Sequence, residues 1–440
     1  MMTIGILLIL CTVEVALFAR FAKKKSFNAL TRAVARITLF ALFLIFCTLG
    51  FIDWGLKWYA LSLLLGIKAI LGIISLLRKK APIDKKKNKT VPRLLGNIAL
   101  IGMVMIPPLV FPGYKQPQPT GRHSVGTTVF TWTDASREDS FTEKEDRRRV
   151  TVQFWYPLAE AEENSEVPER PFPLIVFSHG AFGYRMSNHS TFLELASNGY
   201  VVASIDHTHQ AFLTKEADGT TILGDREFIN TAMQVENGRI EGEQLYRIQE
   251  AWMDLRSADM AFVLDQIRKH VASPTSQEPF DHMDIERIGV LGHSMGGATA
   301  AWIGREDDAI DAVIVLDGTL MGEIIGFEDG RELLTDVPYP KPILNLFNEK
   351  HFQDAQASGL EYANMLMHAK ASQSFQMVIL GSGHLNFTDL PLLSPFFAGL
   401  LGTGTVDPFY CMETTNAAVL AFMDYYLKGK GDPIPIFRML

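Results

Sequence analysis

Arg287–Ala300 reads RIGVLGHSMGGATA. A short apolar run, Ile288–Leu291, leads into Gly292-His293-Ser294-Met295-Gly296, and small residues follow. G-x-S-x-G between a strand and a helix is the pattern of a nucleophile elbow. The chemistry explains the spacing. A serine hydroxyl can attack a carbonyl only if it projects clear of the backbone, and a sharp strand-to-helix turn achieves this with a strained serine. Side chains two residues to either side would collide, so glycines stand at Gly292 and Gly296. The helix that follows offers backbone N–H groups, Met295 first, to a developing oxyanion. The stretch predicts an α/β domain with Ser294 as nucleophile. A Gly-rich turn carrying a solvated serine is the plainer alternative, and it weakens as partners for Ser294 turn up elsewhere.

Working outward, three apolar runs follow the elbow. Ile310–Leu316 ends in Asp317-Gly318, Lys341–Phe347 ends in Asn348-Glu349, and Ser374–Leu380 ends in Gly381-Ser382-Gly383-His384. Each reads as a strand delivering a polar residue at its carboxyl end, where parallel sheets build their sites. His384 is the expected general base. A carboxylate must orient its imidazole, and Asp317 and Glu349 both qualify. The order Ser…Asp/Glu…His is that of α/β-hydrolases. Before the elbow, Pro173–Ser178 runs into His179-Gly180-Ala181-Phe182-Gly183. A strand followed by such an HG loop supplies the other oxyanion donor, with Ala181 the best placed and Met295 the second.

The rest of this region fills out a sheet with flanking helices. Thr127–Trp132, Val150–Tyr156 and Gly199–Asp206 read as further strands, with Ser136–Arg149 a charged hairpin region between the first two. Residues 158–170 read as an acidic loop, Phe192–Asn198 as a helix and Thr414–Leu427 as a final amphipathic one. Gln244–His270 has helical spacing, placing Leu245, Ile248, Trp252, Leu255, Met260, Val263, Leu264 and Ile267 on one face. Residues 211–240 are mixed and polar, a lid or cap insertion. His207 and His209 lack a carboxylate-rich motif, so structural or substrate-lining roles fit better than a metal. Residues 389–410 are apolar and Pro/Gly-interrupted, either an acyl-pocket rim or lipid-facing lip, or ordinary core.

FSHGAFG at 177–183, GHSMGG at 292–297, the LDG ending at Gly318, FNEKHFQ at 347–353 and GSGHLNF at 381–387 together resemble the type-II platelet-activating-factor acetylhydrolase family. The likeness covers roughly residues 120–430. It implies a calcium-independent α/β-hydrolase acting on phospholipids with short or oxidised acyl chains. It also implies Asp317 rather than Glu349 as the acid, because that family's acid follows its serine by the interval seen here. GHSMGG is shared with bacterial cutinase-like polyester hydrolases, which leaves a general carboxylesterase or polyester hydrolase open.

The first 113 residues are of another kind. They carry sixteen Lys/Arg and three acids, a net +13, while the remainder carries −21 and the whole chain −8. Four apolar runs, Thr3–Ala19, Ile37–Ile52 (35–52 with Ala35 and Arg36 counted in), Trp58–Leu77 and Leu94–Phe111, predict four transmembrane helices. A cleaved signal peptide is a poor reading of the first run, since no basic residue precedes it. The 20–36 loop holds six Lys/Arg and the 78–93 loop eight, which makes both cytoplasmic by the positive-inside rule. The fourth helix then delivers the hydrolase-like part, 124–440, to the extracytoplasmic face of the cell membrane through a Pro/Gly-rich linker at 114–123. Glu14 and Lys68 are expected to pair between the first and third helices, and Pro107-Pro108 to break the fourth near its outer end.

The acidic back half argues against nucleic-acid binding. The three cysteines form no C-x-x-C pair, and no cofactor is expected: no metal, nucleotide or flavin motif is present. The expected partners are the membrane and a lipid or ester substrate, with oligomeric state left open. The contrasting reading is a membrane protein whose inactive hydrolase domain binds a ligand.

Overall fold

The computed structural model describes residues 2–24, 29–78, 90–142, 145–158, 171–275 and 277–434. Lys25, most of the basic 78–93 loop and the acidic 159–170 stretch lie outside the described residues. The chain divides into two compact units, Met1–Lys115 with Leu392–Ala398, and Gln116–Pro391 with Gly399–Leu440.

The first unit is built from α1 (Met2–Lys24), α2 (Ala29–Thr48), α3 (Tyr59–Leu77) and α4 (Thr90–Val110). All four are long and apolar enough to cross a membrane. Leu10, Phe43, Trp58, Leu61 and Met105 pack together between them. The second helix starts and ends earlier than the 35–52 expected, so Arg32 and Arg36, read as loop charges, lie in its first turns. Arginine is a good helix former whose long stem lies along apolar surface, so charge alone does not end a helix. Pro107 and Pro108 do not break α4; it runs through them to Val110, and Phe111 N still donates to Pro107 O at 2.9 Å. Glu14 and Lys68 do pair. Lys68 Nζ donates to Glu14 Oε1 at 2.7 Å, Asn97 Nδ2 donates to Oε2 at 3.1 Å, and both charged side chains are nearly buried. The segment Leu392–Ala398, part of the stretch expected to form an acyl-pocket rim, a lipid-facing lip or core, groups with these helices. Ser394 Oγ donates to Val110 O at 2.7 Å, and the Phe397 ring lies 5.7 Å from that of Phe111.

The second unit holds an eight-stranded sheet. Its strands are β1 (Val125–Glu138), β2 (Arg147–Pro157), β3 (Phe172–Ser178), β4 (Val201–Asp206), β5 (Met283–His293), β6 (Ile310–Leu316), β7 (Ile343–Asn348) and β8 (Ser374–Ile379). Their spatial order is β1-β2-β4-β3-β5-β6-β7-β8. β2 is antiparallel to both neighbours and every other pair is parallel. With its flanking helices, this is the α/β-hydrolase fold.

Strands buried on both faces read as continuous apolar runs, and their alternate residues feed two cores. Leu174, Val176, Ile288, Val290, Val313 and Val315 face α7 (Gly242–Val271) and α8 (Met295–Glu306). Ile175, Phe177, Leu291, Ile314, Leu344 and Leu346 face α5 (His189–Ser197) and the final helix, Pro408–Lys428. The inserted region 211–240 folds as a small hairpin, Leu213–Lys215 with Thr221–Leu223, and α6 (Arg226–Glu236). α7 departs from its expected face. Leu245, Ile248, Trp252 and Leu255 are only partly buried, whereas Arg256 and Asp259 join Met260, Val263, Leu264 and Ile267 fully inside. The linker is tied down at its far end, where Thr120 N and His123 N donate to Glu194 Oε2 and Ser197 O.

Candidate active site

Sheet register brings the predicted residues to one edge. Ser178 pairs with Gly292, His293 with Leu316, Leu316 with Leu346, and Asn348 with Ile379. The residues that follow these ends are His179, Ser294, Asp317, Glu349 and the loop to His384.

Ser294 sits at φ +56°, ψ −126°, a region L-residues rarely occupy, and its N–H is fixed to Leu316 O at 2.9 Å. It is half-exposed while its neighbours Gly292, His293, Met295 and Gly296 are buried. The two flanking glycines are required by space. A Cβ on Gly292 would lie 2.0 Å from Gly296 O, and one on Gly296 2.0 Å from Ser178 O.

Asp317 is buried and also left-handed, at φ +53°, a conformation aspartate tolerates better than most residues. Its carboxylate is saturated with donors. Oδ2 accepts from His384 Nδ1 at 2.6 Å and from Asn348 Nδ2; Oδ1 accepts from Asn348 N at 2.7 Å and His351 Nδ1 at 2.9 Å. Burial pushes this carboxyl up, but the bonds from His351 and His384 outweigh it and hold it well below the usual carboxylate range.

A carboxylate only accepts, so the proton of neutral His384 sits on Nδ1 and Nε2 is left free to take one. Partial burial pulls the His384 imidazolium down, yet the Asp317 bond and charge, with Glu236 on α6 adding, raise its pKa above the ordinary value. Its side chain is 41 % exposed, enough to meet a substrate. The loop is fixed by the elbow itself, because His293 Nε2 donates to His384 O at 3.0 Å. Burial and the neighbouring His384 charge push His293 down to about 3, so it stays neutral and suited to this bond.

Glu349, the alternative acid, does not reach the imidazole. Its Oε2 accepts from Gly381 N at 2.7 Å, bracing the loop that carries His384. Met295 is the first residue of α8, so its N–H has no acceptor within the helix. Gly180 O accepts from His179 Nδ1 at 2.7 Å and Gly183 N at 3.2 Å. In a trans peptide the next N–H, that of Ala181, points the opposite way. Gly180 itself lies against Ser294, for a Cβ there would be 3.0 Å from Ser294 Cβ.

Beneath this loop lies a buried polar network that the sequence reading missed. Arg256 Nη1 donates to His179 O and Nε to Gln210 Oε1 at 2.8 Å. Arg148 makes a two-pronged bond to Asp259, at 3.1 and 2.7 Å. Asp259 Oδ2 also meets His207 Nδ1 at 3.1 Å, and His207 Nε2 meets Ser178 Oγ at 2.8 Å. The set Asp259–His207–Ser178 has a triad's connectivity, but all three side chains are fully buried. Burial and the Arg256 charge bring His207 down to about 4, which keeps it neutral. The available signal was Arg256 and Asp259 recurring at helical spacing among apolar positions. His209 stacks on Phe141 with ring centres 5.0 Å apart. Among the described residues no group of three His, Cys, Asp or Glu side chains is placed so that it could hold a metal ion.

Comparison with known proteins points one way. Residues 159–432 match the profile of the family described as platelet-activating factor acetylhydrolase, isoform II. Platelet-activating factor acetylhydrolase of Cavia porcellus is 25 % identical over 269 residues, 58 % of this chain and 58 % of that protein. The Gallus gallus protein of the same name is 26 % identical, covering 60 % of this chain and 64 % of its own. A probable 1-alkyl-2-acetylglycerophosphocholine esterase of Arthroderma benhamiae is 27 % identical over 50 % of this chain and 49 % of that one. The chain thus spans less than two thirds of the length of these relatives. A ferulic acid esterase from Streptomyces cinnamoneus superimposes with a TM-score of 0.55 at 25 % identity, covering 74 % of this chain and 97 % of that one.

Proposed function

The chain belongs to the platelet-activating factor acetylhydrolase isoform II family, and on that premise we propose that it is a membrane-anchored serine esterase that hydrolyses lipid esters through an acyl-enzyme. The observation that carries this reading is the 2.6 Å bond from His384 Nδ1 to Asp317 Oδ2, on the same sheet edge as the strained Ser294 turn. His384 Nε2 takes the Ser294 hydroxyl proton as Oγ attacks the ester carbonyl. The tetrahedral oxyanion accepts hydrogen bonds from the Ala181 and Met295 N–H groups. Collapse expels the alcohol, which receives the proton from His384. Water then attacks the acyl-enzyme, giving its proton to His384, and the acid leaves as Ser294 is reprotonated. Asp317 holds the imidazole and stabilises its charged form throughout.

The substrate class rests on kinship and location. The named relatives are platelet-activating factor acetylhydrolases and a probable 1-alkyl-2-acetylglycerophosphocholine esterase. Four membrane-crossing helices would keep the site beside such lipids, with the catalytic domain extracytoplasmic. Phospholipids with short or oxidised acyl chains are the substrates proposed. The likeness to a ferulic acid esterase favours a second reading, a general carboxylesterase taking soluble esters.

Two measurements test this. A fluorophosphonate probe should label the wild-type chain and not Ser294→Ala; an unlabelled, folded wild-type protein would sink the enzyme reading and leave a ligand-binding one. An acyl-chain series presented both as phospholipid vesicles and as soluble esters should favour short-chain phospholipid. A flat preference for soluble esters would replace the lipid reading with the carboxylesterase one.

A further inference from the structure

Asp317 serves two histidines, and only one of them has a place in the mechanism above. His351, in the first turn of α9 (Glu349–Ser358), donates from Nδ1 to Asp317 Oδ1 at 2.9 Å. Its other nitrogen lies 2.6 Å from the Tyr362 hydroxyl, which lies 2.6 Å from Thr319 Oγ1. With the imidazole neutral, the directions of these bonds follow from the donor inventory. The carboxylate only accepts, so the proton is on Nδ1; Nε2 then accepts from Tyr362, and Tyr362 accepts from Thr319. The chain of donors therefore ends on the oxygen of Asp317 that does not touch His384.

We propose that His351 is a positioning residue for the hydrolysis proposed above, clamping Asp317 so that Oδ2 stays on His384 Nδ1, with Tyr362 holding His351 in the donating tautomer. The local structure is made for this. Asn348 caps α9 by accepting from His351 N at 2.8 Å while donating its own N–H and Nδ2 to the two oxygens of Asp317. The helix start that presents His351 is thus bonded to the carboxylate it serves. Asp317 occupies a left-handed backbone conformation and its χ2 is a soft torsion. Two donors on each oxygen fix that torsion, and His351 supplies one of the two on Oδ1. Without it, the carboxylate can swing, the bond to His384 loosens, and the upward pull on the His384 imidazolium weakens.

This inference rests on the esterase reading, so its test has a readout that needs no known substrate: the rate at which a fluorophosphonate labels Ser294, followed against pH in the full chain. His351→Phe removes the donor and keeps a ring. His351→Asn keeps an amide donor near the Nδ1 position. Tyr362→Phe removes the group that fixes the tautomer. His351→Phe should slow labelling, and kcat on a soluble acetate ester, about tenfold or more, with little change in KM, and should move the acid limb of the labelling profile to lower pH. His351→Asn should recover most of the rate, and Tyr362→Phe should fall between. A wild-type rate and wild-type acid limb in His351→Phe would overturn the inference alone. So would an Asn variant as slow as the Phe variant with both melting early, which marks a packing role. A wild-type chain that never labels overturns the inference together with the esterase reading.

Discussion

Asp317 shows how far single residues were legible. Its place at the end of an apolar run marked it as a candidate, Glu349 stood at the end of the next run, and only the family likeness ranks the first above the second. In the structure a side-chain contact across 67 residues, His384 Nδ1 to Asp317 Oδ2, separates them, which position at a strand end does not encode. His351 was invisible for the same reason, since it bonds Asp317 only because α9 starts where β7 ends. The difference between the two acids predicts distinct variants. Asp317→Asn offers His384 Nδ1 either an oxygen or a donating amide, and so loses the charge that raises its pKa. We expect kcat to fall about 10⁴-fold and the acid limb of kcat/KM to move down in pH. Glu349→Gln keeps an oxygen that can accept from Gly381 N and loses only the charge, so it should cost about tenfold or less. The sign for the wild type follows from the raised His384 pKa. In the proposed mechanism activity needs neutral His384, so kcat/KM is expected to fall as pH drops through that raised value. The stability His384 contributes runs the other way: it is full below the ordinary histidine value and is lost as pH rises through the raised one. A pH–rate profile beside a pH–melting profile checks both.

Among the elements, the strands were the most readable. β3, β6 and β7 are buried on both faces, so their sequences are nearly unbroken apolar runs and their ends carry the polar residues. Apolar periodicity marks only part of the buried face of α7, because it counts apolar residues and that face includes Arg256 and Asp259. Those charges are inside because partners from other elements wait there. Asp259 takes both prongs of Arg148 from β2, Arg137 Nη2 at 3.0 Å from β1, and His207 after β4. Burial pushes its carboxyl up, but Arg148 and His207 hold it well below the usual range. Removing one member of such a buried set leaves the others uncompensated, at a cost of about 3–5 kcal/mol. Asp259→Asn should lower stability by that amount in chemical denaturation of the full chain. Its Ser294 labelling at low temperature should survive wherever the fold does, because Asp259 bonds Arg148, Arg137 and His207 and none of the reacting atoms. A stability change under 1 kcal/mol would show that the network is dispensable.

At the scale of the whole chain, charge and apolarity divide it where the fold does. The basic, apolar front carries the four long helices and the acidic back the eight-stranded sheet, and the first unit's main segment runs to Lys115. The return of Leu392–Ala398 to the helical unit was not legible, because an apolar Pro/Gly-rich stretch reads alike whether it lines a pocket or packs on a helix. The orientation of the front remains a matter of charge. Lys and Arg flanking membrane helices are retained on the cytoplasmic side, and short loops obey this most strictly. By that rule the 78–93 loop, with eight basic residues, is expected to set the exit direction of α4 by itself, and the 53–57 loop, with only Asp53 and Lys57, is expected on the opposite face. Single-cysteine chains can test it once Cys11, Cys47 and Cys411 are replaced. Arg78→Cys lies just past α3 and is exposed, and Asp218→Cys lies in the hairpin turn of the hydrolase unit, also exposed. In spheroplasts, a membrane-impermeant maleimide should label the cysteine at 218 directly and the one at 78 only after permeabilisation. Labelling in the reverse order would place the hydrolase unit in the cytoplasm. The substrate would then have to come from the inner leaflet or from solution, and the proposed extracytoplasmic lipid chemistry would fall with the topology.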